Sequence, residues 1–332
     1  MNKKEKFRHL LKGEKLDEFI FFRPILMHFA ARFNHKTYRE FASDYRVLVD
    51  SNIRAMEYFN TDMVSLISDP YRETSAFGGP VTFPEDAVPE CRNPVIQSLS
   101  DVLNLSTPDV YKNERTMDRI RGARQYDKLL KGTVPVSGWV EGPLAEACDL
   151  AGVSPMLMQL MVDPDFANRL LDKCLVTAKD FAAAQILEGC DLIGIGDSIC
   201  SQIDKDTYDQ FVRERHRELI SFIHETGAAV KLHICGNITH LLGSLADLKA
   251  DIIDLDWQVD MEEAYRFLGP EIVRGGNINP VTIQDKPSED IKRMTAEMLH
   301  HESGRKYLLA AGCEITVNTP KENLMAMREA SQ

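Results

Sequence analysis

Eight short apolar, β-rich runs recur along this chain, separated by longer stretches with helical period. That alternation narrows the available folds more than any other feature. The runs cover residues 19–26, 63–68, 133–140, 192–196, 229–233, 252–255, 272–275 and 307–310. Helical stretches at 38–59, 164–187, 205–225, 238–248, 261–268, 288–301 and 320–330 lie between or after them. Strands that alternate with helices build a parallel sheet, and eight such units fit a (β/α)8 TIM barrel. A Rossmann sheet would need a Gly-rich turn after its first strand. Gly194-Ile195-Gly196 has no third glycine and ends a strand in mid-chain.

Helix starts are marked at Asp163-Pro164 and Thr319-Pro320, each a capping residue before a first-turn proline. Residues 69–131 are the least regular, with Pro80, Pro84, Pro89, Pro94, Pro108 and Gly78-Gly79. They read as an insertion at about 70–131 between two early barrel strands, with a small hairpin near 81–83. No linker divides the 332 residues, so the expectation is one barrel-sized domain with N-terminal helices.

Lys and Arg number 39 against 51 Asp and Glu, a formal charge of −12. Nucleic-acid binding needs a basic footprint, so it is not expected. No run approaches the length of a membrane span, and the charged start Met1-Asn2-Lys3-Lys4-Glu5-Lys6 is followed by no apolar signal core. The expected location is the cytoplasm, with no membrane contact. Seven cysteines, scattered and odd in number, are no disulfide framework. Cys91, Cys148, Cys174, Cys190 and Cys200 read as small buried hydrophobes.

Reactive groups gather where the strands run out: Asp69, Glu141, Asp197, His233 with Cys235, Asp254 with Asp256, Asn277 with Asn279, and Cys313 with Glu314. The C-terminal strand ends of a barrel form one rim, which is where the active site sits. In 229–235, Val230, Leu232 and Ile234 alternate with Lys231, His233 and Cys235, so the latter three face inward. His233, Cys235 and Cys313, with Gly236 and Gly312 as neighbours, would make a three-ligand zinc site with an open fourth position. A structural zinc would bring four ligands, and a hydrogen-bonded core histidine would need no metal; both plainer readings stand beside it. Lys231 is read as neutralising nearby carboxylates. His28, at the end of the first strand, is placed to reach the site. His28, Asn277 and Lys231 are the candidate substrate-binding groups. His9, His35, His216, His224, His240, His300 and His301 read as solvated.

The stretch Lys231-Leu232-His233-Ile234-Cys235-Gly236-Asn237 resembles the metal motif of the corrinoid-dependent methyltransferases in the uroporphyrinogen decarboxylase superfamily. So does Ala311-Gly312-Cys313-Glu314-Ile315, followed by Thr319-Pro320 and Glu322-Asn323-Leu324. Weaker likenesses lie in residues 138–144, 191–198 and 276–280. The resemblance implies a (β/α)8 barrel and a zinc held by His233, Cys235 and Cys313, with Asp256 at the fourth position and Asp254 as its alternative. It implies a methyl group moved between a methylcorrinoid, carried by a corrinoid-binding protein, and a small acceptor such as a coenzyme M-like thiol or tetrahydrofolate. Asp69, Glu141 and Asp197 would line the pocket as its catalytic groups, binding the acceptor or steering protons. The rival is the decarboxylase, which needs no metal and uses an Arg-rich N-terminal segment. Here that segment keeps Arg23 and Arg32 but lacks the Arg-Gln-Ala-Gly-Arg-like signature. A non-catalytic partner of a corrinoid protein is the second alternative.

Overall fold

A computed structural model of the protein describes residues 1–14 and 19–332. Eight parallel strands follow one another around a (β/α)8 barrel. They are β1 (Phe21–Phe22), β2 (Val64–Ser65), β3 (Val136–Glu141), β4 (Leu192–Gly196), β5 (Ala229–His233), β6 (Ile252–Leu255), β7 (Val273–Ile278) and β8 (Tyr307–Ala311). From β2 to β8 each strand pairs with the next in sequence, and β1 pairs with β8. The seam between β1 and β2 is bridged by Asp62: its N–H donates to Phe22 O at 2.8 Å, and its carboxylate accepts from Phe22 N at 2.9 Å.

The run predicted over 19–26 is a ladder for only two residues, because Pro24 has no N–H to donate. It still tracks β8 through Arg23 N to Leu309 O and the isolated Ile25–Glu314 bridge. β3 starts after Pro135 and takes in Glu141, while β7 extends three residues beyond the prediction and takes in Asn277. The helix Pro164–Leu187 begins as expected behind Asp163, whose carboxylate accepts from Phe166 N at 3.1 Å. Thr319 is not a cap. The final helix, Lys321–Ala330, has Pro320 at its N-cap, and the Thr319 hydroxyl bonds Thr316 instead. The stretch 38–59 is two helices, Tyr38–Ser43 and Tyr45–Phe59, divided by Asp44, which caps the second through Arg46 N.

Within 69–131 the hairpin reduces to an antiparallel bridge between Thr82 and Glu90. The same span contains the helix Glu114–Leu130, packed on Tyr45–Phe59 and β3. Its inner face carries Arg115, Asp118 and Arg119 beside Ile120 and Ala123, so no apolar period betrays it.

The floor of the barrel is apolar. Phe21, Met63, Leu192, Ile252, Val273 and Leu308 pack together, and Phe7 of the helix Lys3–Lys12 closes them from below. Burying each such side chain contributes about 1.5–3 kcal/mol. One layer up, the Trp139 indole lies across β4, where a Cβ at Gly194 or Gly196 would overlap the ring. Those two glycines therefore make the space that Trp139 fills, and the indole becomes a wall of the space above.

Candidate metal centre and its cavity

The C-terminal ends of β5 and β8 bring three soft or borderline ligands together. His233 Nε2 lies 3.0 Å from Cys235 Sγ and 3.8 Å from Cys313 Sγ, and the two sulfurs are 3.4 Å apart. A tetrahedral zinc with bonds of about 2.0 Å to nitrogen and about 2.3 Å to sulfur needs ligand separations of roughly 3.5–3.8 Å. The three side chains come within about half an ångström of that spacing. Gly312 lets the end of β8 come close to β6: a Cβ there would stand 2.7 Å from Asp256 Oδ1 and from Trp257 N.

Asp254 sits on the far side of the histidine. His233 Nδ1 donates to its Oδ2 at 3.2 Å, which leaves Nε2 turned to the sulfurs. Such a carboxylate fixes both the tautomer and the ring orientation of a metal-ligating histidine. Asp254 is therefore placed as the orienting partner of His233 rather than as a ligand. Lys231 also donates to Asp254, and Arg23 lies 3.6 Å from it. Burial would raise the Asp254 pKa, but Lys231, His233 and Arg23 outweigh it and hold the carboxyl far below its usual range. Burial and then Arg23 lower Lys231 to about 8. Burial opposes charge on His233, yet Asp254 and the Cys313 sulfur bring it up to about 9. Cys313 falls to about 4, through the Cys235 thiol first and, against burial, through His233.

Above the triad opens a cavity of about 220 Å³. Its apolar walls are Ile25, Met27, Ile67, Pro70 and Trp139, and its carboxylates are Asp69, Glu141 and Glu314. Glu141 Oε1 accepts from Arg72 Nη2 at 2.8 Å and from Trp139 Nε1 at 3.0 Å. Burial pushes Glu141 well above the usual carboxylate range, against the pull of Arg72. Glu314 Oε1 accepts from His28 N at 3.0 Å, and burial followed by the Cys313 charge lifts its pKa to about 7.

Asp69 is the opposite case. Both its oxygens accept from Arg115 Nη2, at 2.7 and 2.6 Å, and Ser68 donates to Oδ2 at 2.6 Å. Burial alone would raise its pKa, but the Arg115 and Arg72 guanidiniums bring it down to about 2. The unfolded value is about 3.9, so Asp69 contributes about 2–3 kcal/mol. The sign follows from a depressed folded pKa: the contribution is complete above about pH 4 and is lost as pH falls through about 2. Urea midpoints measured from about pH 5 down to about pH 2 should fall less steeply in Asp69→Asn than in the native chain. Equal slopes would remove Asp69 as the source.

The remaining sequence candidates lie elsewhere. Asp256 does not join the three ligand atoms that lie within 4.8 Å of one another. Its carboxylate accepts from Gly236 N and Trp257 N, both at 2.8 Å, and so pins the loop after Cys235 to β6. Asp197, expected to line the pocket, is buried behind it. It accepts from Leu144 N and Ala145 N at the start of the helix Pro143–Ala151, and bonds His216 Nε2 at 2.9 Å. His216, expected in solvent, is fully buried, with Nδ1 on the Tyr208 hydroxyl. The first N–H groups of a helix have no intrahelical acceptor and carry the positive end of its dipole, which explains why the strand-end aspartate turns outward to accept from them. The His28 ring leaves the cavity for Asp86 and Tyr38. Asn277 donates to Asp256 O and Val259 O and borders a separate rim cleft beside Trp257. Lys231 lies beneath the triad, as its pairing with Asp254 requires. Trp139, Arg72 and Arg115 were not among the sequence candidates, and Glu314 was named at its strand end without a role. Glu314 had a signal in its position next to Cys313, whereas the arginines had none.

The family model described as uroporphyrinogen decarboxylase (URO-D) matches residues 2–332. The chain belongs to the URO-D family. Among curated relatives, the methylcobamide:CoM methyltransferase MtaA of Methanosarcina barkeri is 31% identical over 198 residues. That match covers 58% of this chain and 57% of the relative. A uroporphyrinogen decarboxylase of Prochlorococcus marinus (strain MIT 9312) is 25% identical over 306 residues, covering 90% of this chain and 87% of that protein. A solved methyltransferase from Methanosarcina mazei superposes with a TM-score of 0.91 at 21% identity, over 100% of this chain and 98% of its own. At that identity the superposition carries the barrel, not the chemistry. URO-D family relatives are thus named both as methyltransferases and as decarboxylases, which makes this an enzyme family with two chemistries. Among the described residues, no helix is long and apolar enough to cross a membrane.

Proposed function

We propose that this URO-D family protein is a zinc-dependent methyltransferase that moves a methyl group between a methylcorrinoid and a small acceptor such as a thiol or tetrahydrofolate. The observation that carries this reading is the His233–Cys235–Cys313 triad, spaced for a tetrahedral ion and opening on a cavity. A zinc held there would make an acceptor thiol acidic enough to attack as its thiolate. Asp254 keeps Nε2 of His233 facing the sulfurs, and Asp256 holds Gly236, hence Cys235, in place. Trp139 and the apolar walls keep water from the reacting atoms, while Glu141 and Glu314 offer hydrogen-bond acceptors to the bound acceptor. In the transfer, an acceptor thiolate sulfur, or a ring nitrogen that releases its N–H proton to solvent, bonds to the methyl carbon, the cobalt–carbon bond of the methylcorrinoid substrate breaks, and its electron pair stays on cobalt. The corrinoid, carried by a corrinoid-binding protein, would approach from the open rim.

The decarboxylase reading has the family model and relatives such as the Prochlorococcus protein on its side. Two observations weigh against it. Among the described residues the cavity is lined by Asp69, Glu141 and Glu314 and by no Lys or Arg, whereas a porphyrinogen with many carboxylates needs a cationic cleft. Arg23, one of two arginines kept in the N-terminal segment, is buried against Asp254. The deciding experiment follows methylcobalamin absorbance with zinc-loaded protein and either thiols or tetrahydrofolate. Acceptor-dependent loss of the methylcobalamin spectrum is expected. No loss with any acceptor, together with turnover of a porphyrinogen, would overturn the assignment.

A further inference from the structure

We infer that the helix Val153–Val162 is the contact face of a two-fold homodimer, in which the apolar stripe and socket of one copy pack against the same stripe and socket of the other. Such a contact is independent of the chemistry at the triad. The helix reads Val-Ser-Pro-Met-Leu-Met-Gln-Leu-Met-Val and packs on the helices Pro143–Ala151 and Pro164–Leu187. Met156 and Leu160 enter the core. Met158, Met161 and Val162 point outward, 61%, 84% and 67% exposed, and Val153 at the start is 39% exposed. Four of the sixteen large apolar side chains exposed among the described residues thus fall on this one helix, and no other described helix holds more than two. Single exposed apolar side chains are ordinary, whereas a contiguous stripe marks an interaction surface.

Three observations favour a second copy of this chain as the occupant. Beside the stripe lies an apolar socket formed by Pro94, Ile96, Ala151, Pro155 and Phe166. Pro155 and Gln159, which line it, stand three positions before Met158 and Val162, so knobs and socket share one face of the helix. A patch that carries both is self-complementary, as a two-fold contact requires. Charge agrees. No charged residue occurs between Asp149 and Asp163 or between Arg92 and Asp101, in a chain that is 27% charged. A partner held by opposite charge would find nothing here to pair with. A second copy brings the same net charge of −12 and can approach closely only on an uncharged face. Area agrees as well. The four outward side chains expose roughly 400 Å² between them. Doubled by the two-fold, that is about half of a standard interface of about 1,600 Å², whose surface is little more than half apolar. The unbranched thioethers of Met158 and Met161 can also adapt to an irregular socket.

The test is mass in solution, by size-exclusion chromatography with light scattering and by sedimentation velocity. At about 10 μM the protein should run as two copies of the 37.6 kDa chain, with a Kd of about 1 μM or tighter. Raising salt from about 0.05 to about 0.5 M should tighten association, because it screens the repulsion between acidic copies. Met158→Glu and Met161→Glu should each weaken the dimer at least about ten-fold, and the double variant should run as one chain. Leu187→Glu, at a 76% exposed position about 35 Å away along the helix Pro164–Leu187, should leave the mass as it is. Hydrogen exchange in the native chain needs no substitution: amides of 153–162 should exchange more slowly at about 20 μM than at about 0.2 μM. A single-chain mass at about 50 μM would overturn the inference and leave the face to another occupant, such as a corrinoid-binding protein. A dimer untouched by the double variant, with exchange over 153–162 equal at both concentrations, would overturn it too, by placing the contact elsewhere.

Discussion

Replacing Cys313 with serine should lower bound zinc from one equivalent to below about a tenth, and slow methyl transfer roughly 10³-fold. Cys235→Ser should do the same. Each sulfur is one of the three side-chain ligands proposed among the described residues, and each is within 4 Å of both others. A serine hydroxyl stays protonated at neutral pH and offers a harder oxygen, so two good ligands remain where three are needed. Asp254→Asn tests the layer behind. The amide can still accept from His233 Nδ1 but carries no charge, so zinc affinity should weaken by about 10–100-fold without vanishing. Zinc measured by atomic absorption after dialysis gives the ranking directly. Full zinc retention in both serine variants would break the link between triad and metal, whatever the activity. A drop in zinc with unchanged demethylation would show that metal and methyl transfer are separate matters.

The barrel was legible because its signal repeats. Each of β3 to β8 is a short apolar run, and the inward-facing Lys231 and His233 alternate with outward Val230 and Leu232 as the pleat demands. The triad was legible for the same reason. A two-residue spacing on one strand fixes the face of His233 and Cys235, and the glycine before Cys313 marks a close approach. What was not legible is the pairing of charges across the sequence. Asp197 and Glu141 both end strands, yet one is absorbed by the start of the helix Pro143–Ala151 while the other faces the cavity. Nothing local separates them; only the helix Pro143–Ala151, packed against the turn Ser198–Gln202 that follows β4, does. The same holds for Arg115, whose partner Asp69 is 46 residues away. Its helix hides its own period, because a buried guanidinium reads as a solvated residue until its carboxylate is found.

Arg72 shows how far the cavity depends on such pairings. It is fully buried; Nη2 reaches Glu141, Nη1 reaches Asp69 O, and Nε lies 3.7 Å from Glu73. Burial already raises both Glu73 and Glu141, and Arg72 is the largest influence pulling each back. Arg72→Met should therefore cost about 3–5 kcal/mol, since it leaves carboxylates in the interior with no cation beside them. The pH dependence discriminates this cause from simple loss of packing. Without Arg72 the folded pKa of Glu141 climbs further above its unfolded value of about 4.3. A carboxyl whose folded pKa is raised holds its proton in the folded state where the unfolded chain has released it, so stability falls as pH rises between the two values. The deficit of Arg72→Met should then be smaller at about pH 5 than at about pH 8. Adding Glu141→Gln should restore part of it, because the neutral amide no longer needs the cation. Urea midpoints of the two single variants and the double variant complete the cycle. A deficit that is the same at both pH values, or a double variant no better than Arg72→Met, would mean that the arginine acts by filling space and that Glu141 is held in the cavity by something else.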